Sequence, residues 1–174
     1  LALMASENRA ASALARNYPG GMRAFVNAMN AKARAVGMTR THYAESTGLS
    51  AGNVSTAGDL ARLVQAASRY PLIREFSTEE AFAVDIKGHQ REFRNTNGLV
   101  RDPDWEIGLS KTGYIKEAGR CLVMQAWLQG RPVLIVLLDS FGKYTRTADA
   151  RRLRKWLATR PWERQVVAMK GAAG

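Results

Sequence analysis

The chain has 174 residues, a hydrophobic share of 46% and a formal net charge of +11. This length and composition fit one globular domain, and no run of 18 apolar residues is present to span a membrane. The single cysteine, Cys121, excludes an intrachain disulfide, and its apolar, strand-like neighbours predict a buried, inert thiol. Because the sequence starts at Leu1 without a basic and apolar leader, we expect a processed or truncated chain whose targeting these residues do not reveal.

The positive charge has two interpretations, attraction to a polyanion (nucleic acid or an acidic cell-envelope polymer) and a solvated basic surface. The densest basic group comprises Arg151, Arg152, Arg154 and Lys155. The apolar residues interleaved with it at helical spacing are Ala150, Leu153, Trp156 and Leu157. We therefore expect the basic side chains to cover the solvent face of a helix, and we predict no nucleic-acid partner.

The first 76 residues are predicted to be mainly helical. An alanine-rich helix covers Ala10–Tyr18 and stops at Pro19, and a second covers Met22–Val36 and ends at Gly37. The polar, glycine-punctuated segment Thr39–Val54 predicts a loop.

A third helix is predicted to start at Thr56, which can cap it, with Asp59 as the reciprocal capping partner. Pro71 is expected to close this helix. Its expected buried face comprises Leu60, Leu63, Val64 and Ala67.

Residues 77–162 are predicted to form an antiparallel sheet with a covering helix. The two short strands are Phe82–Ile86 and Arg91–Arg94, and Asn95–Asp104 is a loop. The three longer strands are Glu106–Tyr114, Gly119–Leu128 and Pro132–Asp139. Gln129-Gly130 suits a tight turn between the last two strands, and a helix follows from about Lys143 to Thr159. Helices, then a strand meander, then a helix indicate an α+β fold.

Two short motifs stand in order along the chain, Ser6-Glu7-Asn8 and Lys111-Thr112-Gly113. Ser-x-Asn and Lys-Thr-Gly are two of the three motifs of penicillin-recognising serine enzymes, and Ser-x-x-Lys is the third. Ser-x-x-Lys supplies the nucleophilic serine and its lysine base and should precede Ser6, but these 174 residues contain none there. Taken singly, the two motifs also fit a helix cap and an exposed β-turn.

Acyl transfer by a serine needs a proton shuttle, an oxyanion hole and a grip on the substrate. We expect Ser6 to relay the proton, Asn8 to orient the base and the substrate amide, and the ammonium of Lys111 to raise the local positive potential.

The neighbouring residues of the second motif are predicted to bind the substrate. The Thr112 hydroxyl can bind a carboxylate, and Gly113, lacking Cβ, lets a substrate backbone approach the strand. The backbone N–H of Tyr114 is a candidate oxyanion donor.

Several segments resemble the low-molecular-weight penicillin-binding proteins, which are D-alanyl-D-alanine carboxypeptidases and endopeptidases of bacterial cell walls, and most of all their endopeptidase branch. The matching segments run from Met4 to Ala11, Thr47 to Ser50, Ser55 to Leu60, Asn95 to Leu99 and Ser110 to Met124. The resemblance extends to about Trp162.

This resemblance implies that residues 1–174 are the C-terminal portion of one transpeptidase-like domain, with a helical part over 1–76 and the sheet part over 77–162. It implies peptidoglycan peptides as substrate, β-lactams as inhibitors, a periplasmic or cell-envelope location and no cofactor. It also implies that Arg146 lies near the terminal carboxylate of the substrate. His42 and His89 lack metal-ligand spacing, so no metal site is predicted.

Two alternatives remain open, a class A β-lactamase and a non-enzymatic basic binding module. A class A β-lactamase should carry a Glu-x-x-Leu-Asn loop, whereas this chain has Glu45-Ser46-Thr47-Gly48-Leu49. Ser140-Phe141-Gly142-Lys143 fits the letters Ser-x-x-Lys but follows Lys-Thr-Gly, so we reject Ser140 as the nucleophile.

The missing motif leads to two expectations for the chain by itself. Without a serine to activate, it should be catalytically inert. It should also fold only together with the N-terminal portion of the same domain. In the family that it resembles, that portion covers the apolar faces and one strand edge, which would be exposed in the chain alone.

Overall fold

The computed structural model describes residues 1–142 and 144–159. Its five α-helices are α1 (Asn8–Arg16), α2 (Gly21–Ala35), α3 (Ala57–Ala67), α4 (Pro71–Thr78) and α5 (Thr145–Ala158). Its five strands are β1 (Ala81–Ile86), β2 (His89–Arg94), β3 (Glu106–Ile115), β4 (Gly119–Leu128) and β5 (Arg131–Ser140). A short 3₁₀ helix, Gly98–Arg101, lies between β2 and β3. The predicted α+β arrangement is confirmed; Lys143 and the predicted boundary near Trp162 lie outside the described residues.

The strands form two antiparallel sheets, a hairpin of β1 and β2 and a three-stranded sheet in the order β3-β4-β5. All five strands were predicted to within about two residues of their ends. The tight turn between β4 and β5 is confirmed as well, since Gln129 and Gly130 have φ of 53° and 72°. Positive φ at both central residues is what the type I′ hairpin turn requires.

The core lies against the three-stranded sheet. Alternate residues of β4 are buried because successive side chains of a strand point to opposite faces. The buried core residues are Leu99, Trp105, Leu122, Met124, Ala126, Leu128, Ile135 and Ala150. Leu153 and Leu157 of α5 pack against this cluster. The predicted covering helix is therefore confirmed.

Trp156 was wrongly placed in the apolar stripe of α5, since its side chain is 50% exposed. It lies farther round the helix than Ala150, Leu153 and Leu157, at the flank of the stripe. Of the clustered basic residues of α5, Arg151, Arg152 and Lys155 are exposed as predicted, whereas Arg154 is half-buried. Arg151 and Arg154 form ion pairs with Asp102 and Asp104.

The helical part contains one helix that the sequence analysis missed. Pro71 does not close α3, which ends at Ala67, but opens α4 as its first residue. Proline is tolerated there because the first N–H groups of a helix have no partner within it.

Asp59 is not the reciprocal capping partner of Thr56. The Thr56 hydroxyl accepts from the backbone N–H of Asp59, at 3.3 Å, as predicted. The Asp59 carboxylate instead accepts from the Arg40 N–H and the Thr41 hydroxyl, each at 2.8 Å. A buried carboxylate needs such donors, and the loop after α2 supplies them.

Cys121 is half-buried rather than buried. It pairs across the sheet with Gly113, which has no side chain to cover it. No helix within residues 1–142 and 144–159 is both long and apolar enough to cross a membrane.

The register of β3 against β4 shifts between Ile107 and Leu109, so Gly108 forms a bulge. A Cβ on Gly108 would lie 2.5 Å from Cη2 of Trp127, well inside contact distance. A Cβ on Gly113 would lie 3.8 Å from Cβ of Cys121, which is an ordinary van der Waals distance.

We therefore expect Gly108→Ala to lower the free energy of unfolding by about 1–3 kcal/mol through overpacking. Gly113→Ala, on the same strand, is the matched control and should change the unfolding free energy little. Denaturant unfolding of both variants, in a protein that combines this sequence with a Ser-x-x-Lys segment, checks this. Equal stability of the Gly108→Ala variant and the parent protein would show that the bulge can absorb the methyl group.

Candidate active site

A cleft of about 610 Å³ opens between the N-terminal segment, the loop over residues 43–53 and strand β3. Every site residue predicted from the sequence lines it, although these residues come from distant parts of the chain. They are Ser6, Asn8, Lys111, Thr112, Gly113, Tyr114 and Arg146. Ser140 does not line the cleft, and Lys143 lies outside the described residues.

Lys111 joins the two motifs directly. Its Nζ donates a short hydrogen bond to Oγ of Ser6 and another, at 2.7 Å, to the carbonyl of Thr112. Ser6 stands just before α1 with φ of 53°, and Glu7 caps that helix by accepting from the Arg9 N–H at 3.0 Å. The helix start thus fixes the turn that presents Ser6, while Asn8 begins the helix at the same cleft.

The ammonium of Lys111 is less stable than usual in this position. Burial, with a further contribution from the positive charge of Arg146, lowers the pKa of Lys111 from 10.5 to about 8. Near neutral pH the Lys111 side chain is still mostly protonated, and it loses its proton as the pH rises through about 8.

Thr96 connects the same two motifs through its hydroxyl. Its Oγ1 lies 2.7 Å from Oγ1 of Thr112 and 3.4 Å from Oγ of Ser6. Its backbone N–H donates to the carbonyl of Met4 at 3.1 Å. The cleft therefore contains a row of three hydroxyls, with the Lys111 ammonium at one end.

Two buried asparagines hold Thr96 in place. Asn95 donates through Nδ2 to the carbonyls of Ser77 and Glu79, at 3.0 and 2.8 Å. Asn97 donates through Nδ2 to Oγ of Ser110 at 2.8 Å. These bonds attach the loop after β2 to α4 on one side and to β3 on the other.

The wall facing β3 is a loop organised around Glu45. Its carboxylate accepts hydrogen bonds from Thr47, Gly48, Ser50 and Asn53. Burial alone would raise the pKa of Glu45, but these hydrogen bonds outweigh burial and hold the pKa below its usual value. The Glu45 carboxylate thus stabilises the conformation of its own loop.

One end of the cleft carries two guanidinium groups. Arg146, in the first turn of α5, lies 3.5 Å through Nη1 from the carbonyl of Gly113. Arg120 stacks over the ring of Tyr114, with 4.4 Å between Cζ and the ring centroid. Burial and the nearby charge of Arg120 lower the pKa of Arg146.

Thr96, Arg120 and Glu45 were not assigned a role from the sequence. Counting across the turn between β3 and β4 would have paired Arg120 with Tyr114, which is their observed register. No local signal identified Thr96, because its partners Ser6 and Thr112 are set by the tertiary fold. The partners of Glu45 lie within eight residues of it, so its spacing to Thr47 and Gly48 was a local signal that could have been used. Among residues 1–142 and 144–159, no cluster of three or more His, Cys, Asp or Glu side chains could hold a metal ion.

Ser-x-Asn and Lys-Thr-Gly, brought together here by the hydrogen bond from Lys111 to Ser6, are two of the three motifs of a penicillin-recognising serine enzyme. The chain belongs to the D-alanyl-D-alanine carboxypeptidase family, whose sequence model matches residues 1–142.

Curated relatives agree with this family. The chain is 55% identical over 175 residues to a D-alanyl-D-alanine endopeptidase of Pseudomonas aeruginosa, a match covering 99% of this chain and 55% of the relative. It is 52% identical over 161 residues to a D-alanyl-D-alanine endopeptidase of Escherichia coli, covering 91% of this chain and 52% of the relative. The chain thus spans about half the length of these relatives.

Solved structures share the fold. A D-alanyl-D-alanine carboxypeptidase from Mycobacterium tuberculosis superposes with a TM-score of 0.83 at 29% identity, covering 92% of this chain and 63% of that one. The Streptomyces K15 DD-transpeptidase superposes with a TM-score of 0.75 at 30% identity, covering 84% of this chain and 61% of that one. The expected penicillin-binding fold is therefore confirmed.

The pKa of Lys111 can be tested through its neighbour. Replacing Arg146 by Gln removes a positive charge that disfavours the ammonium, so the pKa of Lys111 should rise from about 8 toward its ordinary value. The measurement is an NMR titration of the lysine side chains, with the Lys111 signal assigned by its loss in Lys111→Ala. Arg23→Gln, on α2 and outside the cleft lining, is the control. An unchanged midpoint in Arg146→Gln would contradict the electrostatic coupling.

Proposed function

We propose that this chain forms the Ser-x-Asn and Lys-Thr-Gly part of a serine-type D-Ala-D-Ala peptidase acting on peptidoglycan peptides. The observation that carries the proposal is the hydrogen bond from Lys111 to Ser6, which links the two motifs inside the cleft. The nucleophile would be the serine of a Ser-x-x-Lys segment, and these residues contain none ahead of Ser6. That segment, the N-terminal portion of the same domain, is thus a proposed partner.

In the first step the nucleophilic hydroxyl attacks the carbonyl carbon of the D-alanine on the acyl side. The C–N bond breaks, an acyl-serine ester forms, and the hydroxyl proton passes by way of Ser6 to the leaving amine. Asn8 would orient the substrate amide, and the Tyr114 N–H would bind the developing oxyanion. Water then hydrolyses the ester, releasing the peptide acid and restoring the serine.

The substrate would lie along β3. Gly113 is exposed and lets a peptide backbone approach the strand edge, while Thr112 and Arg146 would bind the carboxylate of the leaving group. Thr112 is suited to donate its proton outward, because the Thr96 hydroxyl can donate to Oγ1 of Thr112 from behind.

The comparisons favour the endopeptidase branch and an enzyme that β-lactams acylate. The two relatives more than half identical to the chain are named endopeptidases, whereas an Escherichia coli carboxypeptidase is 32% identical. Penicillin-binding protein D2 of Listeria monocytogenes was solved in a cefotaxime-bound form and superposes with a TM-score of 0.76 at 28% identity. Such substrates support a location in the periplasm or cell envelope.

The two alternatives are less well supported. A deacylating carboxylate of a β-lactamase must be able to take a proton from water, but Glu45 is held by donors of its own loop. A basic binding module needs unpaired cations on its surface, and three of the clustered arginines of α5 are ion-paired.

Acylation by a labelled penicillin tests the assignment of Lys111. In a protein that combines this sequence with a Ser-x-x-Lys segment, Lys111→Ala should slow acylation by roughly two to four powers of ten, because a preorganised positive charge is lost. Arg146→Ala should impair peptide turnover more than penicillin acylation. Equal losses for both variants on both substrates would contradict the assigned roles.

Thr96 offers a second test. Thr96→Val removes the hydroxyl that joins Ser6 and Thr112 and should slow acylation by about tenfold, the value of one net hydrogen bond. Thr96→Ser keeps the hydroxyl and is the matched control, with acylation close to that of the parent. Unchanged acylation in Thr96→Val together with slowed acylation in Thr96→Ser would show that the site uses the methyl group and not the hydroxyl.

A further inference from the structure

This inference rests on the proposed function and concerns the end of the cleft beyond Gly113. Arg120 and Arg146 both line the cleft there, one from β4 and one from α5. The resemblance gave Arg146 a role near the substrate carboxylate, and it gave Arg120 none.

Arg120 is held in a defined position. It lies opposite Tyr114 in the antiparallel register of β3 and β4, so the two side chains share one face of the sheet. Its guanidinium stacks 4.4 Å from the centroid of the Tyr114 ring, while the Tyr114 side chain remains 59% exposed. A stacked guanidinium keeps its N–H donors free at the edges for a planar anion such as a carboxylate.

The two guanidiniums repel each other, and within the described residues neither forms an ion pair. The six ion pairs of residues 1–142 and 144–159 use Arg9, Arg62, Arg94, Arg151, Arg152 and Arg154. Arg146 is half-buried, and the charge of Arg120 adds to the burial that already disfavours its charged form. Two adjacent cations without a counter-ion favour a ligand that brings more than one negative charge.

A terminal D-alanine cannot supply that second charge. As a leaving group it carries one carboxylate, on the same residue as the departing amine, and Arg146 with Thr112 would bind that group. A leaving peptide can supply both charges when its departing amine stands beside a free carboxylate and a second carboxylate lies farther along the peptide, for example at its C-terminus. Arg120 lies on β4, next to Tyr114 of β3, at the end of the cleft. This position suits the second carboxylate, which is farther from the cleaved bond than the first.

We propose that Arg120, supported by the ring of Tyr114, binds a second carboxylate of an anionic leaving peptide and so directs the site toward cross-linked rather than terminal D-alanine substrates. Arg120 is thereby a specificity-determining residue for the leaving group.

The test uses a protein that combines this sequence with a Ser-x-x-Lys segment, and two synthetic substrates with the same acyl part. One releases a single D-alanine, and the other releases a peptide with an additional carboxylate. The ratio of their kcat/KM values measures selectivity for the anionic leaving peptide. Arg120→Ala should lower this ratio by roughly 10- to 100-fold, as for loss of a charge-assisted hydrogen bond.

Three controls make the result specific. Lys116→Ala removes the same charge from an exposed position on the same hairpin, outside the cleft lining, and should leave the ratio unchanged. Arg120→Lys keeps the charge and should restore part of the ratio. Converting the additional carboxylate of the peptide substrate to an amide should make the parent protein resemble Arg120→Ala.

The outcomes separate the two proposals. Equal loss on both substrates, or no change in the ratio, overturns the role of Arg120. If the parent protein is not acylated by a labelled penicillin and cleaves neither substrate, the proposed function itself fails. Thermal unfolding of each variant shows whether a loss of activity reflects a loss of folded protein.

Discussion

The cleft depends on one buried polar anchor, the pair of asparagines that flanks Thr96. Asn95 and Asn97 are almost fully buried, and each satisfies its amide by bonding a different element, α4 and β3. A buried amide without partners would be costly, so these bonds leave the loop little freedom to shift. Because Thr96 lies between the asparagines, its hydroxyl is held where the N-terminal segment and β3 meet. The contact between Lys111 and Ser6, more than a hundred residues apart in sequence, follows from that placement.

The cleft also concentrates positive charge in a partly buried space. Lys111, Arg120 and Arg146 line it, whereas its acidic lining residues, Glu7 and Glu45, are occupied by Arg9 and by the loop around Glu45. The pKa of Lys111 falls because this ammonium is poorly solvated and faces another cation. The same conditions that make the ammonium less stable strengthen its attraction for an anionic substrate, since low solvent exposure reduces screening.

Much of this structure could be predicted from sequence, and the failures share a cause. The strands β3, β4 and β5 were predicted from sequence, as were the cleft residues of the two motifs, and the family resemblance added Arg146. Pro71 was misread because proline can either end a helix or open the next one, and only packing decides between them. The Asp59 carboxylate bonds a loop 18 residues away, and Thr96 bonds residues 90 and 16 positions away. Such contacts leave no local pattern, so tertiary structure is needed to find them.

The loop around Glu45 has a consequence for how the cleft can change. Glu45 and Asn53 bond the backbone of their own loop, which holds the part beyond its anchor to α2, where Tyr43 exchanges two hydrogen bonds with Asn30. Leu49, at its outer side, is 58% exposed and lines the cleft. Substitutions at exposed positions of this loop, such as Leu49, can therefore change the cleft lining without moving the hydroxyls of Ser6, Thr96 and Thr112 on the other side. Substrate preference and catalytic geometry are thus separately adjustable, and one scaffold can diversify by altering a rim while its chemistry stays fixed.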